Sequence, residues 1–179
     1  AVNTYQVDVL SMSYGGWDDY HDGSGALDQK VDWAFIQGVP FFLSAGNSGN
    51  MKKHWMGTVA ANSSSDFIEV KVSEPKGDTT MLRFNMVWAD GIKRNKLSIR
   101  YYDAFKQLMN DVTLLPVTES PRGTESCYSW YNKSLNASGT YYLQVVNNSA
   151  ESQVVHIYED WNNQRIGKNH VYFSNSEIA

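Results

Sequence analysis

The chain has 179 residues, 42% of them hydrophobic, with 15 basic against 19 acidic side chains and a formal net charge of -4. That length allows one large or two small domains, and the apolar share supports globular packing. Without a dense basic cluster, or an apolar run near the ~20 residues of a membrane span, neither nucleic-acid binding nor a spanning helix is expected. Cys127 is the single cysteine, so no internal disulfide can form.

Val7, Val9, Leu10 and Met12 make a short apolar run that predicts a strand buried on both faces, bounded by Gly15-Gly16. The stretch Trp17–Gly25 holds Asp18, Asp19, Asp22 and Gly23 and is expected to be an exposed loop. Ser24 is placed to N-cap a helix whose Leu27, Val31, Ala34 and Phe35 recur at three- and four-residue spacing as one apolar stripe. Gly38 should terminate it. Val39 to Leu43 is a second buried strand, followed by Ala45-Gly46-Asn47. Two buried strands joined by a helix predict a parallel pair with a right-handed crossover. Ligands bind at the carboxyl ends of such strands, where Ser11–Gly16 and Ser44–Gly49 fall.

Asn62-Ser63-Ser64-Ser65 reads as a linker, and beyond it the period becomes two. Ile68/Val70/Val72, Leu82/Phe84/Met86/Trp88, Leu97/Ile99/Tyr101, Val112/Leu114, Tyr141/Leu143/Val145, Val154/His156/Tyr158 and Val171/Phe173 are the predicted inward sets. Half-buried strands at this spacing predict an antiparallel sandwich. The expected class is therefore α+β: a partial parallel α/β unit over 1–62, an antiparallel β-sandwich over 66–160 and a return segment over 161–179. Two strands and a helix are marginal alone, so the first unit is expected to pack on the sandwich or to pair with another chain.

The first third resembles the middle of a subtilisin-like serine protease. The residues that carry the resemblance are Ser13-Tyr14-Gly15-Gly16 and Ser44-Ala45-Gly46-Asn47-Ser48-Gly49, each closing a strand, with one helix between. The family usually has Leu where Tyr14 stands. The resemblance implies that Ser13, Tyr14, Gly15 and Gly16 bind peptide or protein substrate as an added strand. It implies that Asn47 donates its amide to the oxyanion of the tetrahedral intermediate. The family's acid, base and nucleophile motifs do not occur in this sequence, so this chain alone should be inactive. A cut fragment of a secreted endopeptidase, able to associate with the remainder of the protease, is the expectation. The region after Phe67 is similar to the β-sandwich modules that accompany secreted proteases, through Val87-Trp88-Ala89-Asp90, Lys96–Asp103 and Ser138–Val145. A generic strand–helix–strand unit with a turn asparagine is the alternative for the first region, and a non-catalytic sandwich that binds protein or polysaccharide is the alternative for the whole.

No cofactor is expected. Asp18, Asp19 and Asp22 read as a solvated turn, with calcium the lesser alternative, since the spacing departs from an EF-hand loop. His54 and Trp55 are expected in a surface loop and His156 as a hydrogen-bonded core histidine. Trp17, Trp130, Tyr131 and Trp161 fall in predicted loops and could form an aromatic surface. Asn62, Asn132, Asn136 and Asn147 open Asn-x-Ser sequences, which accept glycans only in a glycosylating host.

Overall fold

The structure, a computed structural model, describes residues 2–13, 18–44, 49, 51–73, 80–89, 96–135, 137–159 and 171–175. The chain opens with a single helical turn, α1 (Val2–Tyr5), then β1 (Leu10–Met12), α2 (Ala26–Ile36) and β2 (Phe41–Leu43). β1 and β2 pair in parallel, with Leu10 opposite Phe41 and Met12 opposite Leu43. The expected Ser24 cap is not used. Gly25 is the N-cap residue and offers no side chain, while the Ser24 N–H donates to Asp22 Oδ1 at 2.9 Å. The other end closes as predicted: Gly38 has φ +80°, its N–H reaches the Phe35 carbonyl at 2.9 Å, and Val39 N–H reaches the Ala34 carbonyl at 3.0 Å. That bond pair needs a left-handed residue, which glycine adopts without penalty. The predicted apolar stripe is largely bare. Ala34 is buried, but Leu27 is 37% and Phe35 73% exposed.

Two antiparallel sheets make up the rest. The first contains β3 (His54–Val59), β6 (Arg83–Ala89), β8 (Val112–Leu114), β9 (Thr118–Glu119), β10 (Thr124–Tyr131) and β12 (Gln153–Glu159), in the order β3-β12-β6-β10-β8 with β9 also on β10. The second contains β4 (Ser63–Ser64), β5 (Ile68–Val72), β7 (Leu97–Tyr102), β11 (Gly139–Asn147) and β13 (Val171–Phe173), in the order β13-β5-β11-β4 with β7 also on β11. Their facing sides supply one core: Phe84, Met86, Trp88, Val155 and Ile157 from the first, and Val70, Tyr101, Leu143, Val145 and Phe173 from the second. The Phe84 ring lies 5.9 Å from Tyr101 and 5.6 Å from Phe173, so aromatic rings bridge the sheets as well as fill them.

The expected α+β class, with a parallel α/β subtilase unit over 1–62, is overturned. Of the described residues 46% lie in strands and 11% in helices, and the sheets are mostly antiparallel. Parallel pairing is confined to a two-stranded sheet of three-residue strands. A parallel α/β layer needs several strands covered by helices on both faces, and among the described residues α2 is the one helix longer than a single turn. The antiparallel strands also run beyond the 66–160 span expected for the sandwich. His54–Val59 pairs with β12, Ser63–Ser64 with β11, and Val171–Phe173 with β5.

Most inward sets follow the alternation, but β12 is shifted by one residue. Val155 and Ile157 are fully buried, whereas Val154 is 50% exposed. Val154, Val155 and Ile157 are all apolar, so either phase satisfies the pattern, and a one-residue slip exchanges the faces. The phase is settled at Glu159, which points inward to Lys53 at 2.9 Å, both side chains almost wholly buried. Lys53 Nζ also donates to the Val171 carbonyl, tying β13 to the same knot. β10 carries no simple alternation because Glu125, Ser126 and Ser129 are buried polar residues. Each has a partner: Trp88 Nε1 donates to Glu125, Ser126 Oγ to Asn85 Oδ1 at 3.0 Å, and Ser129 Oγ lies 2.8 Å from the Tyr101 hydroxyl.

Candidate functional site

The carboxyl ends of β1 and β2 leave the sheet together. Ser44 N–H donates to the Met12 carbonyl at 3.2 Å, so the ladder holds to its last residue and exposed Ser13 and Ser44 emerge side by side. Of the expected site residues, Ser13 sits at this edge. Tyr14, Gly15, Gly16 and Asn47 lie outside the described residues, as do Trp17, Trp161 and Asn136.

Residues 18–25, which follow, lie against the outer face of the first sheet instead of standing in solvent. Asn85 Nδ2 donates to the Asp19 carbonyl at 3.0 Å and the Tyr128 hydroxyl to Asp19 Oδ1 at 2.8 Å. The Ser120 hydroxyl donates to Asp22, and Arg122 Nη1 donates to the Asp22 carbonyl at 2.6 Å. Gly23, at φ +74°, leaves room for that guanidinium, since a Cβ there would meet Arg122 Nη1 at 2.9 Å. Burial pushes the Asp22 carboxyl up, but hydrogen bonds from Ser120, Ser24 and Thr124 outweigh it and hold the pKa down at about 2. Asp18 is raised, by burial first and by Asp28.

Beneath this loop is a histidine stack that local patterns could not disclose. His21 lies flat on Tyr158, ring centroids 3.7 Å apart. Tyr158 stands opposite His54 across the β12–β3 pair, 4.5 Å away and stacked. His54 Nε2 and His156 Nδ1 are 2.9 Å apart. His54 therefore belongs to a strand and is buried, 8% exposed, not in the surface loop expected of it. His156 is hydrogen-bonded, but on the outer, loop-covered face and not in the core. Burial, and then the neighbouring histidines, lower His21 and His54 to about 4. A cavity of about 240 Å³ adjoins the stack, lined by His21, Asp22, Trp88, Thr124, His156 and Tyr158 among others. Among the described residues no group of three or more His, Cys, Asp or Glu is arranged to hold a metal ion.

The other expected features fall elsewhere. Trp130 and Tyr131 are in β10 and not in a loop; the Arg83 guanidinium sits 5.5 Å from the Trp130 ring, and Tyr131 packs against the core. Exposed Phe67 and half-buried Tyr102 and Tyr142 gather instead on the second sheet. Phe67 meets Tyr102 edge-on at 5.0 Å, and Lys106 Nζ lies 4.7 Å from Phe67 and 5.1 Å from Tyr142. Asn147 is fully buried and its amide reaches the Val59, Ala60 and Glu151 carbonyls at 2.8–3.1 Å, which removes it as a glycan acceptor. Asn62 and Asn132 are exposed.

No family model matches the sequence, and no curated protein matches it. Among solved structures, that of the Clostridium perfringens CspB protease is similar, with a TM-score of 0.66 at 14% identity. The match covers 99% of this chain and 39% of that one. Identity this low shows a shared fold: the strand–helix–strand unit and the sandwich together have a counterpart in part of a protease.

Proposed function

We propose that the chain is a segment of a secreted, subtilisin-like serine endopeptidase. It would hold extended peptide or protein substrate along Ser13, Tyr14, Gly15 and Gly16. Asn47 would donate its carboxamide to the oxyanion, and nucleophile, base and acid would come from polypeptide outside these 179 residues. The observation that carries this reading is the parallel ladder of β1 and β2, which brings Ser13 and Ser44 out at one edge, three residues ahead of Asn47. The fold shared with part of a protease supports it. An uncharged donor suits the role, because it stabilises charge that develops in the transition state without itself titrating. The exposed Phe35, Ile36 and Phe42 of this unit would be covered by the remainder of the protease. No cofactor has a part in this chemistry.

The test is peptide hydrolysis by the intact protease that carries this segment. Asn47→Ala should lower turnover roughly 100- to 1000-fold with little change in KM, a magnitude that comes from subtilisin itself. Unchanged turnover would remove the assignment. The 179-residue chain alone should cleave no substrate.

A second reading, a sandwich that binds protein or polysaccharide without catalysis, is favoured by one observation: the Phe67, Tyr102, Tyr142 and Lys106 cluster, with Phe105, the residue before Lys106, 84% exposed. Aromatic platforms of this kind bind both classes of ligand. Affinity electrophoresis in gels containing dextran or casein should then retard the native chain and not Phe105→Ala/Tyr142→Ala. Equal mobility of the two would discard this reading.

A further inference from the structure

We propose that the His21–Tyr158–His54–His156 stack makes the docking of residues 18–25 onto the sandwich dependent on pH, closed near neutrality and released in mild acid. This goes beyond the protease reading and stands without it.

The geometry admits few protons. Between His54 Nε2 and His156 Nδ1, 2.9 Å apart, one nitrogen must donate and the other accept. If both rings were imidazolium, two N–H groups would face each other across that gap. His54 Nδ1 is buried and makes no hydrogen bond among the described residues. His21 completes the cover by lying on Tyr158, which itself stacks on His54. The loop reaches that position with His21 at φ 53°. That left-handed conformation is disfavoured for a non-glycine residue, so the docked contacts are what hold it.

The charges around the stack decide the sign. Asp19 and Asp22, on the same loop, favour a charged His21, but they are the lesser influence. Their oxygens already accept from Tyr128, Ser120 and Ser24. Arg122, from the turn between β9 and β10, brings a positive charge to the Asp22 carbonyl. Lys53, next to His54, is committed to Glu159. Tyr158, pushed up by burial, stays a neutral phenol. Burial and mutual repulsion of the imidazoles therefore prevail, and His21 and His54 sit at about 4. A released histidine returns to about 6.5. The docked loop thus binds fewer protons than the released one. Docking is complete above about 6.5 and is lost as pH falls toward about 4, about tenfold per pH unit for each histidine freed. Asp22, held at about 2, does not titrate in that window.

Hydrogen exchange of the 179-residue chain from pH 7.5 to 4.5, corrected for intrinsic rates, reads the device. Protection over 18–25 should fall by up to about a hundredfold per unit below pH 6.5, about tenfold for each of His21 and His54, while β11 stays unchanged. His21→Phe, which keeps a ring on Tyr158, should cut that slope to about tenfold per unit, the share of His54. Asp18→Asn, which removes the carboxyl raised by burial, should keep the native slope. An unchanged slope in His21→Phe, or its loss in Asp18→Asn, overturns the proposal. Should His21→Phe fail to dock at pH 7.5, proton NMR titration of the native chain decides. Midpoints of His21 and His54 well below 6.5 support the device; midpoints near 6.5 with the loop still docked overturn it.

Discussion

Phe84 and Phe35 are the same residue type at opposite extremes, 0% and 73% exposed. The first lies where two sheets face each other, so every inward side chain meets one from the opposite strand layer. The second lies on α2, beside a sheet of two short strands, where Ile36 and Phe42 are exposed with it, at 77% and 61%. The sandwich closes its own core; the strand–helix–strand unit presents apolar side chains outward and is held by its polar loop 18–25. The difference teaches that apolar content is not burial. Burial needs a second layer.

The comparison can be broken by mutation. Phe84→Ala should cost about 3–5 kcal/mol of stability in urea unfolding, from lost transfer energy plus the cavity left between the sheets; Phe35→Ala should stay within about 0.5 kcal/mol. Similar losses for both would mean that α2 is packed as tightly as the core. Lys53→Met should cost a similar ~3–5 kcal/mol, since it leaves the Glu159 carboxylate buried without its cation. Lys53→Met/Glu159→Leu should recover most of that, and a double variant as unstable as the single one would locate the effect outside the ion pair. Asn147→Ala should cost about 1–3 kcal/mol by stranding the carbonyls of Val59 and Ala60. Tyr101→Phe, which takes the hydroxyl from Ser129, should cost about 1 kcal/mol. The smallest effect on stability belongs to Ile36→Ser, below about 0.5 kcal/mol in the same urea unfolding.

How far the sequence disclosed all this depends on where each signal lives. Phe84, Met86 and Trp88 face inward as their alternation predicts, because successive side chains of a strand point to opposite faces. The Gly38 helix end was equally legible, because a left-handed C-terminal position is a local requirement. β10 was not legible. Its buried Glu125, Ser126 and Ser129 are tolerated only because Trp88, Asn85 and Tyr101 arrive from other strands, and those partners lie 28 to 41 residues away. β12 was misphased for the same reason: the alternation allowed two answers, and Lys53, from before β3, selected one. The histidine stack left no local trace, since His54 and His156 are 102 residues apart. At the proposed oxyanion edge, the motif pointed to Asn47 and the ladder of β1 and β2 placed the neighbouring Ser13 and Ser44.

By itself the sequence determined which side chains share a strand face and where the helix stops. Only the tertiary structure decided that the molecule is mostly antiparallel, that 18–25 is a docked loop and that its cover rests on histidines. The physical reason is range. Periodicity and turn chemistry act between residues a few positions apart, whereas which face is covered, and which polar group finds a partner, is settled by strands that meet only after the chain has folded back on itself.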